Sequence, residues 1–399
     1  MAEIDFDPFD PAHRADPYPY YSRLRETAPV WRSPRGAWVL TRFRDCTEVL
    51  RDARFGHGSR QRLLDKSNWR RPAPSQAMPF ILLDPPEHTR QRSLVNRAFT
   101  PRRVQRLSPW IKRLVDSMVD EAIEKGEADL VESCFHPLPA TVISELLGVP
   151  SQDRELVRGW SRVIARGVDP DYQRTSDEKR ERDEALAAFD GYFRELVAER
   201  RREGGDDLLT ELIAARDNGS ALSEGELLAT CTMIYVAGHE TTTDLLSNGT
   251  LALMRNPGEL KRLRDDPRLL DSGVEEFLRY DPPTQLTRRT VLADLELAGH
   301  DIARGDQVVL VRGAANRDPE VFDDPDRLDV GRPANRHIAF DGGVHFCLGA
   351  GLARLEARLA FESLVTKVGD IELATDAVPY KDNLTIRGPK ELTVRLTAR

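Results

Sequence analysis

The chain has 399 residues, of which 40% are hydrophobic and 31% charged, with a mean hydropathy of −0.49 and a net charge of −8. This composition supports a sizeable core and gives no indication of nucleic-acid binding. No apolar run approaches the ~20 residues that cross a bilayer, the acidic N-terminus lacks the layout of a signal peptide, and the four cysteines have neither disulfide nor zinc spacing. We therefore expect a cytoplasmic protein.

The N-terminal part combines short regular elements with a long irregular loop. The pattern predicts a helix at residues 18–26, a hairpin at 29–41 with strands 29–32 and 37–41, and a helix at 41–51. The proline-rich stretch 55–86 follows, and its residues 60–71 carry five basic residues against one acid: Arg60, Arg62, Lys66, Arg70 and Arg71 against Asp65. Two interpretations are open, a solvated loop or a lid that contacts an anionic substrate or a carrier protein.

From residue 87 the sequence is mainly helical. Thr100-Pro101 pairs a capping residue with proline at the first helical position, which is typical of a helix start. Further predicted helices span residues 140–147, 151–166, 176–202, 207–215 and 269–280. Ser223-Glu224-Gly225-Glu226 is a capping box that opens the longest helix, which extends to about residue 255 and is apolar on nearly all sides, so we predict that it is buried.

Predicted strands appear mainly in the last third of the chain. They span residues 290–297 and 307–312, and a last hairpin is predicted from residues 384–386 and 391–396. The predicted fold class is therefore mainly α with small β-sheets.

The middle of the longest helix, Ala237-Gly238-His239-Glu240-Thr241-Thr242-Thr243, breaks several local rules at once. Glycine and three threonines are poor helix formers, and threonine hydroxyls can bond back to the preceding turn and bend the helix. An ionisable Glu240 in an apolar helix adds a desolvation cost. Such combinations occur mainly at functional sites, although a kinked helix with a solvated acid is the alternative.

The segment Phe340-Asp341-Gly342-Gly343-Val344-His345-Phe346-Cys347-Leu348-Gly349 places one cysteine where a glycine-rich loop becomes a helix. The helix end favours the Cys347 thiolate over the thiol. The glycines leave room for a large flat group to approach the backbone. The alternative is an inert buried cysteine in a helix-capping loop.

The cysteine loop resembles the haem-ligating loop of the haem-thiolate monooxygenases, the cytochrome P-450 family. Residues 237–243 resemble the family's oxygen-binding segment, and Glu276 with Arg279, one helical turn apart, resembles its Glu-x-x-Arg pair. The motifs follow the family's order over essentially the whole chain. The resemblance implies one domain, residues 1–399, with the cytochrome P-450 fold and a long central helix over haem b.

The resemblance also implies roles for individual residues. Cys347 would ligate the iron with Phe340 packed near its sulfur, Glu240 would feed protons to the site, and Thr241 would hydrogen-bond dioxygen. The other implied haem contacts are Ala237 and Gly238, which leave room over the iron, Gly349 in the cysteine loop, and His88, Arg92, Arg289 and His345 at the propionates.

Two further points come from the resemblance. Glu276, Arg279 and a later arginine, matched by Arg327, would have a folding role. Asp341 departs from the family, which usually has glycine there; aspartate tolerates a positive φ better than most residues, and its charge would lower the reduction potential of the iron.

The resemblance implies a monooxygenase that inserts one atom of O2 into a mid-sized hydrophobic substrate, such as a secondary metabolite, by hydroxylation or epoxidation. Ferredoxin and its reductase would supply electrons, with the basic residues Arg97, Arg102, Arg103, Arg106, Lys112 and Arg113 suited to an acidic partner. The expected substrate pocket consists of Phe80, Ile81, Leu82, Met233, Ile234, Ala237, Gln285, Leu286, Thr385 and Ile386. The alternatives are a peroxide-driven or C–C coupling enzyme of the same fold and a non-catalytic haem-binding protein.

Overall fold

A computed structural model describes residues 13–58, 77–166, 174–217, 219–383 and 385–399, in which helices predominate over short strands. The chain divides into two units. Unit one comprises the described parts of Met1–Phe55, Ser108–Leu138 and Thr241–Arg399, and unit two those of Gly56–Leu107 and Pro139–Glu240. The proposed lid residues Arg60, Arg62, Asp65, Lys66, Arg70 and Arg71 lie outside the described residues. The single-domain assignment stays a prediction.

The helices of the described part begin and end close to the positions predicted from the sequence. They are α1 (Tyr18–Thr27), α2 (Phe43–Arg51), α3 (Glu87–Ala98), α4 (Pro101–Lys125), α5 (Pro137–Leu146), α6 (Arg154–Ala165), α7 (Ser176–Glu203), α8 (Leu208–Ala214), α9 (Glu224–Arg255), α10 (Pro257–Asp265), α11 (Leu270–Tyr280), α12 (Arg312–Ala315) and α13 (Ala350–Lys367). The strands are β1 (Val30–Arg32), β2 (Trp38–Leu40), β3 (Phe55–Gly56), β4 (Glu127–Asp129), β5 (Leu286–Val291), β6 (Leu295–Leu297), β7 (His300–Ile302), β8 (Gln307–Val311), β9 (Val368–Leu373) and β10 (Thr393–Ala398).

The main sheet has the strand order β1-β2-β8-β5-β3. β1 and β2 form the predicted antiparallel hairpin, whose turn is closed by a hydrogen bond from Gly36 N–H to the Ser33 carbonyl (2.8 Å), with Gly36 at φ +85°. β2 pairs with β8 in parallel and β5 pairs with β8 antiparallel. Apolar residues of β2 and β8, such as Leu40 and Val308, are fully buried in the core beneath the sheet. The sheet therefore brings the N-terminal hairpin beside strands from the last third of the chain.

The predicted C-terminal hairpin is wrong. β10 instead lies between β9 and β4 in a three-stranded antiparallel sheet, so its partners come from distant parts of the chain. Ile386 makes a single bridge to Thr284, and Leu384 lies outside the described residues. The predicted strand 290–297 is two strands, β5 and β6, because the backbone leaves the sheet at Leu292, whose N–H donates to the Arg54 carbonyl.

The long helix α9 is buried, as predicted. The capping box is formed: Glu226 N–H donates to Ser223 Oγ (3.3 Å) and Ser223 N–H donates to Glu226 Oε2 (2.8 Å). Farther along, a Cβ at Gly249 would lie 2.5 Å from the Phe361 ring, so glycine is required by close packing against α13. Although α9 is long, no helix of the described part of the chain is long and apolar enough to cross a membrane.

Candidate active site

The cysteine loop is a tight backbone structure in unit one. Cys347 N–H donates to the Phe340 carbonyl (2.9 Å), and Phe346 N–H donates to the Gly343 carbonyl (3.2 Å). Gly343 has φ +61°, and a Cβ there would lie 2.2 Å from the Leu50 carbonyl oxygen, so this position accepts only glycine. α13 begins three residues after Cys347, which therefore lies at a loop-to-helix junction as predicted.

Cys347 differs from the other cysteines of the chain in exposure. Cys46, Cys134 and Cys231 are buried, and burial raises the pKa of each thiol, to about 12 for Cys134. Cys347 is partly exposed and is not in a disulfide. Because the thiolate is the form that ligates metals, Cys347 is the cysteine best suited to bind iron.

The Phe340 ring is held by a charged network that sequence reasoning missed. The Arg354 guanidinium lies 4.5 Å from the centre of the buried Phe340 ring. Glu275 accepts hydrogen bonds from Arg354 (2.6 and 2.9 Å) and lies 3.1 Å from His337 Nε2. Burial raises the pKa of Glu275, but hydrogen bonds from Arg354 and His337 outweigh it and lower the value to about 2. The three residues come from distant segments, so no spacing in the sequence links them.

Asp341 is paired with an arginine that was expected at a haem propionate. Arg289 Nη2 donates to Asp341 Oδ2 (2.8 Å), with only 3% of the Arg289 side chain and 16% of the Asp341 side chain exposed. Asp341 has φ +66°, the left-handed conformation that a glycine would adopt without strain. The departure from the family glycine therefore adds a buried ion pair beside the cysteine loop.

A second buried guanidinium, missed by sequence reasoning, belongs to the same group. Arg312 donates to the Ala339 carbonyl (3.2 Å) and is 6% exposed. Burial lowers the pKa of Arg312, the Asp341 and Cys347 charges oppose that change, and the Arg289 charge adds to it. An arginine directly after the apolar run of β8 was the available signal. We call Arg289, Arg312 and Asp341 the Asp341 cluster.

The residues around Cys347 fit haem b. A thiol can ligate the iron, and guanidinium groups are suitable partners for propionate carboxylates. Arg312 Nε is buried and has no hydrogen-bond partner among the described residues, so it is a donor suited to a propionate. His345 is half-buried in the short helical turn just before Cys347. A Cβ at Gly349 would meet no heavy atom within 4 Å, so the backbone beside the cysteine is open.

In unit two, His88 and Arg92 lie one turn apart on α3. Both face the buried ring of Phe80, with the His88 ring 6.0 Å and the Arg92 guanidinium 5.8 Å from its centre. His88 is 2% exposed, and burial together with the Arg92 charge lowers its pKa, which favours the neutral imidazole. A neutral histidine beside a cation supplies one donor and one positive charge, which suits the propionate role expected for this pair.

The middle of α9 combines buried acid and close helix packing. Glu240 is 8% exposed, and its Oε1 lies 3.8 Å from Nδ1 of the neighbouring His239, which is 3.5 Å from Ser161 Oγ. A Cβ at Gly238 would lie 3.1 Å from Ile143 Cδ1, so helix packing by itself explains this glycine. Ala237 is exposed.

The three threonines of α9 are not equivalent. Thr243 is fully buried, and its hydroxyl donates to the Phe135 carbonyl (3.1 Å), which gives it a structural contact. Thr242 is also buried, whereas Thr241 is half-buried. Of the three, Thr241 is thus the most exposed residue, and it directly follows Glu240.

Two of the predicted substrate-pocket residues are packed in the interior of unit one. Gln285 is 1% exposed, and its side-chain amide donates to the Pro282 carbonyl (2.8 Å) and to Tyr18 Oη (3.3 Å). Leu286 packs in a buried cluster with Tyr21. Gln285 directly precedes β5 and Leu286 is its first residue, and the place of both residues in the substrate pocket stays a prediction.

The remaining predicted pocket residues differ in exposure. Ile81 is exposed, Leu82, Met233 and Thr385 are partly buried, and Phe80, Ile234 and Ile386 are buried.

The Glu-x-x-Arg pair is completed by Arg332 and not by Arg327. Glu276 accepts from Arg279 Nε (2.7 Å) and Nη2 (2.8 Å), and from Arg332 Nε (3.1 Å). Arg327 contributes only its carbonyl to this group, while its side chain is 59% exposed and pairs with Asp324 and Asp329. The prediction for the Arg327 side chain is therefore wrong. We call Glu276, Arg279 and Arg332 the Glu276 cluster.

Comparisons with known proteins agree with this site. The family model described as Cytochrome P450 matches residues 23–368. The polyketide biosynthesis cytochrome P450 PksS of Bacillus subtilis (strain 168) is 37% identical over 413 residues, with 100% of both chains covered. The solved structure of PksS has a TM-score of 0.90 at 36% identity, covering 98% of this chain and 100% of that chain.

Two further relatives carry informative names. The vitamin D(3) 25-hydroxylase of Pseudonocardia autotrophica is 38% identical, with 96% of this chain and 94% of that protein covered. A solved structure of P450BioI in complex with hexadec-9Z-enoic acid ligated acyl carrier protein has a TM-score of 0.86 at 32% identity, covering 96% of this chain and 99% of that chain.

Proposed function

The chain belongs to the cytochrome P450 family, whose members are monooxygenases that bind haem b through a cysteine thiolate, and we propose that Cys347 supplies that thiolate. The observation that carries the proposal is the contrast between Cys347, partly exposed at a glycine loop, and the three buried cysteines. When bound, the haem supplies the activation of dioxygen, one atom of which enters an organic substrate. The protein residues bind the cofactor, hold the substrate and deliver protons.

The test of the ligand is the absorption spectrum of the reduced, carbon-monoxide-bound protein. We expect the strongly red-shifted Soret band of thiolate ligation in the natural chain, and its loss in Cys347→Ser. Cys46→Ala is the matched control, because it removes a buried thiol of unit one and should keep the band. An imidazole-type spectrum in the natural chain would contradict the proposal.

For proton delivery we propose Glu240 and Thr241. Glu240 is almost fully buried beside the His239 imidazole, and the half-buried Thr241 hydroxyl follows it on the same helix. A buried carboxyl group next to a hydroxyl can pass protons inward while bulk water is kept away. This pair favours the dioxygen route over a peroxide-driven one, because peroxide already carries the protons and electrons that the dioxygen route must import.

For the substrate we propose a mid-sized hydrophobic molecule such as a secondary metabolite, hydroxylated or epoxidised. The proposed contacts are mostly apolar: Phe80, Ile81, Leu82, Met233, Ile234, Ala237, Gln285, Leu286, Thr385 and Ile386. The names of two relatives, a polyketide biosynthesis enzyme and a vitamin D(3) hydroxylase, support this class. The P450BioI complex supports the alternative of a substrate tethered to a carrier protein.

A spin-state titration separates the free substrate from the tethered one. Vitamin D3, free hexadec-9-enoic acid and the same acid linked to an acyl carrier protein are added in turn to the haem-loaded protein. Saturable displacement of the Soret band by vitamin D3 supports a free hydrophobic substrate. A response to the linked acid alone would contradict a free substrate and support the tethered one.

For electron supply we propose ferredoxin with its reductase. Most of the basic residues expected at the docking surface are already paired: Arg97 with Asp217, Arg103 with Glu211, Arg106 with Asp206 and Lys112 with Asp116. Arg102 and Arg113 are exposed and have no carboxylate within 4 Å in the part of the chain that the structure describes. They are therefore the proposed contacts for an acidic partner.

Charge reversal tests the ferredoxin proposal. Arg102→Glu should slow reduction by ferredoxin at low salt, with the difference shrinking as salt screens the charges. Arg106→Glu, on the same helix but already neutralised by Asp206, should slow it less. Equal rates for the natural chain and Arg102→Glu would remove this surface from the proposal.

A further inference from the structure

Asp341 stands in the cysteine loop in a backbone conformation that costs a non-glycine residue energy. Four non-glycine residues of the described part have positive φ, Ala298, Asp324, Ala334 and Asp341, and Asp341 is the one within the cysteine loop. A residue held in this conformation persists only where the surroundings compensate for it. The compensation here is the ion pair with Arg289.

The Arg289–Asp341 ion pair is largely buried, so solvent screens the interaction of its charges with the cysteine loop only weakly. Arg289 is 3% exposed, and among the described residues it donates to Thr287 Oγ1 (3.1 Å) and the Arg288 carbonyl (3.0 Å) as well as to Asp341. Without Asp341, its charge would rely on a bound carboxylate for neutralisation. With Asp341, the protein already contains one of the anions that Arg289 needs.

Charge counting extends the argument to the thiolate. The Asp341 cluster contains two buried guanidinium groups and one carboxylate, and Arg312 interacts electrostatically with both Asp341 and Cys347. Within this cluster one carboxylate is set against two guanidinium charges, and the Cys347 thiolate is a further negative charge that acts on Arg312. A chain with glycine at position 341 would leave one positive charge more beside the cysteine.

We propose that Asp341 is a positioning residue that holds Arg289 beside the cysteine loop and keeps the reduction potential of the haem low. The inference rests on the proposed ligation by Cys347. One-electron reduction of ferric haem places an additional negative charge at the iron, and the Asp341 carboxylate opposes this charge while it also neutralises Arg289. Replacing the carboxylate with a neutral group therefore makes reduction easier.

Potentiometric titration of the haem-loaded protein tests the proposal. Asp341→Asn and Asp341→Gly should both raise the midpoint potential. At a fixed applied potential, the ratio of reduced to oxidised haem should rise by up to tenfold, which is about 59 mV for a one-electron couple. Asp324→Asn is the matched control. Asp324 also has positive φ, but its side chain is 68% exposed and pairs with Arg327, so its replacement should leave the potential unchanged.

A double-mutant cycle tests whether Asp341 acts through Arg289. Arg289→Gln should lower the midpoint potential. In the Arg289→Gln background, Asp341→Asn should shift the potential less than in the natural chain, because it no longer leaves an arginine charge without its carboxylate. If Asp341→Asn keeps the thiolate-type carbon monoxide spectrum and has the same midpoint potential as the natural chain, the inference is overturned. Loss of that spectrum from the natural chain would instead overturn ligation by Cys347, so the two failures are distinguishable.

Discussion

Two buried arginine–carboxylate clusters of unit one differ in how completely the protein satisfies them. In the Glu276 cluster, both carboxylate oxygens accept from Arg279 and Arg332, and Asn335 and the backbone N–H of Asp329 donate as well. In the Asp341 cluster, Asp341 Oδ1 and Arg312 Nε have no hydrogen-bond partner among the described residues. Burying an unpaired polar atom is costly, so proteins retain such atoms mainly where they bind something. The first cluster has the features of a folding element and the second those of a binding site.

The largest expected effect comes from breaking the satisfied cluster. Glu276→Gln should lower the free energy of unfolding by about 3–5 kcal/mol, because it leaves the buried charges of Arg279 and Arg332 uncompensated. Arg327→Ala, the control, should change it by less than about 0.5 kcal/mol since that side chain is exposed. Urea unfolding measures both. A large loss of unfolding free energy in Arg327→Ala would show that the Arg327 side chain does contribute to the Glu276 cluster.

The cysteine loop allows the same distinction between folding and binding at two glycines. Gly343→Ala should destabilise the protein by about 3 kcal/mol, because the Cβ meets the Leu50 carbonyl and φ is positive. Gly349→Ala meets no neighbour and has φ −82°, so the unfolding free energy should stay unchanged. Haem affinity should fall in Gly349→Ala if the open backbone there faces the cofactor. Unchanged haem affinity would remove Gly349 from the binding site.

Glu275, with Arg354 and His337 at the Phe340 ring, makes a pH-dependent contribution to the free energy of unfolding. The pKa of Glu275 is about 2 against an ordinary 4.5, since hydrogen bonds from Arg354 and His337 outweigh burial. A lowered pKa stabilises the fold above the ordinary value, and this stabilisation is lost as the pH falls from about 4.5 to about 2. Glu275→Gln should therefore cost on the order of 2 kcal/mol at pH 7 and little near pH 2. If Glu275→Gln loses the same unfolding free energy at both pH values, the stabilisation does not come from the ionised Glu275 carboxylate.

The smallest expected effect on stability extends the comparison to α9. Thr243→Ala should cost about 1 kcal/mol, because the Phe135 carbonyl loses its donor, and should leave turnover coupled. Thr241→Ala should leave stability nearly unchanged, while the product formed per dioxygen consumed falls severalfold. Product yield and oxygen uptake measured together distinguish the two. Coupled turnover in Thr241→Ala would remove Thr241 from the proton path.

Local patterns were predictable from the sequence, whereas long-range partners were not. The capping box at Ser223, the helix start at Thr100 and the loop-to-helix position of Cys347 depend on neighbouring residues and are all present. The Glu276–Arg279 pair followed from helical spacing, but its third member, Arg332, comes from an irregular segment in which spacing carries no information.

The partner of Asp341 shows the same limit. Arg289 lies 52 positions upstream and reaches Asp341 only because β5 is paired in the sheet. The β10 strand was assigned to the wrong partner for the same reason: a hairpin is the local solution, whereas the observed β9 and β4 partners are distant. The burial of Leu286 in a cluster with Tyr21 was not predictable either, because sequence alone does not give the direction of a side chain.

Because only some of the four cysteines are exposed, the number of reactive thiols reports the state of the chain. The folded protein presents one cysteine to solvent, and unfolding exposes three more. A thiol-reactive dye should thus label one site per folded chain without cofactor, none when a metal is bonded to that sulfur, and four after denaturation. For a folded sample, the count of dye per chain would therefore fall from one towards zero as the cofactor is loaded, and a count above one would reveal unfolded chains, before any assay of turnover.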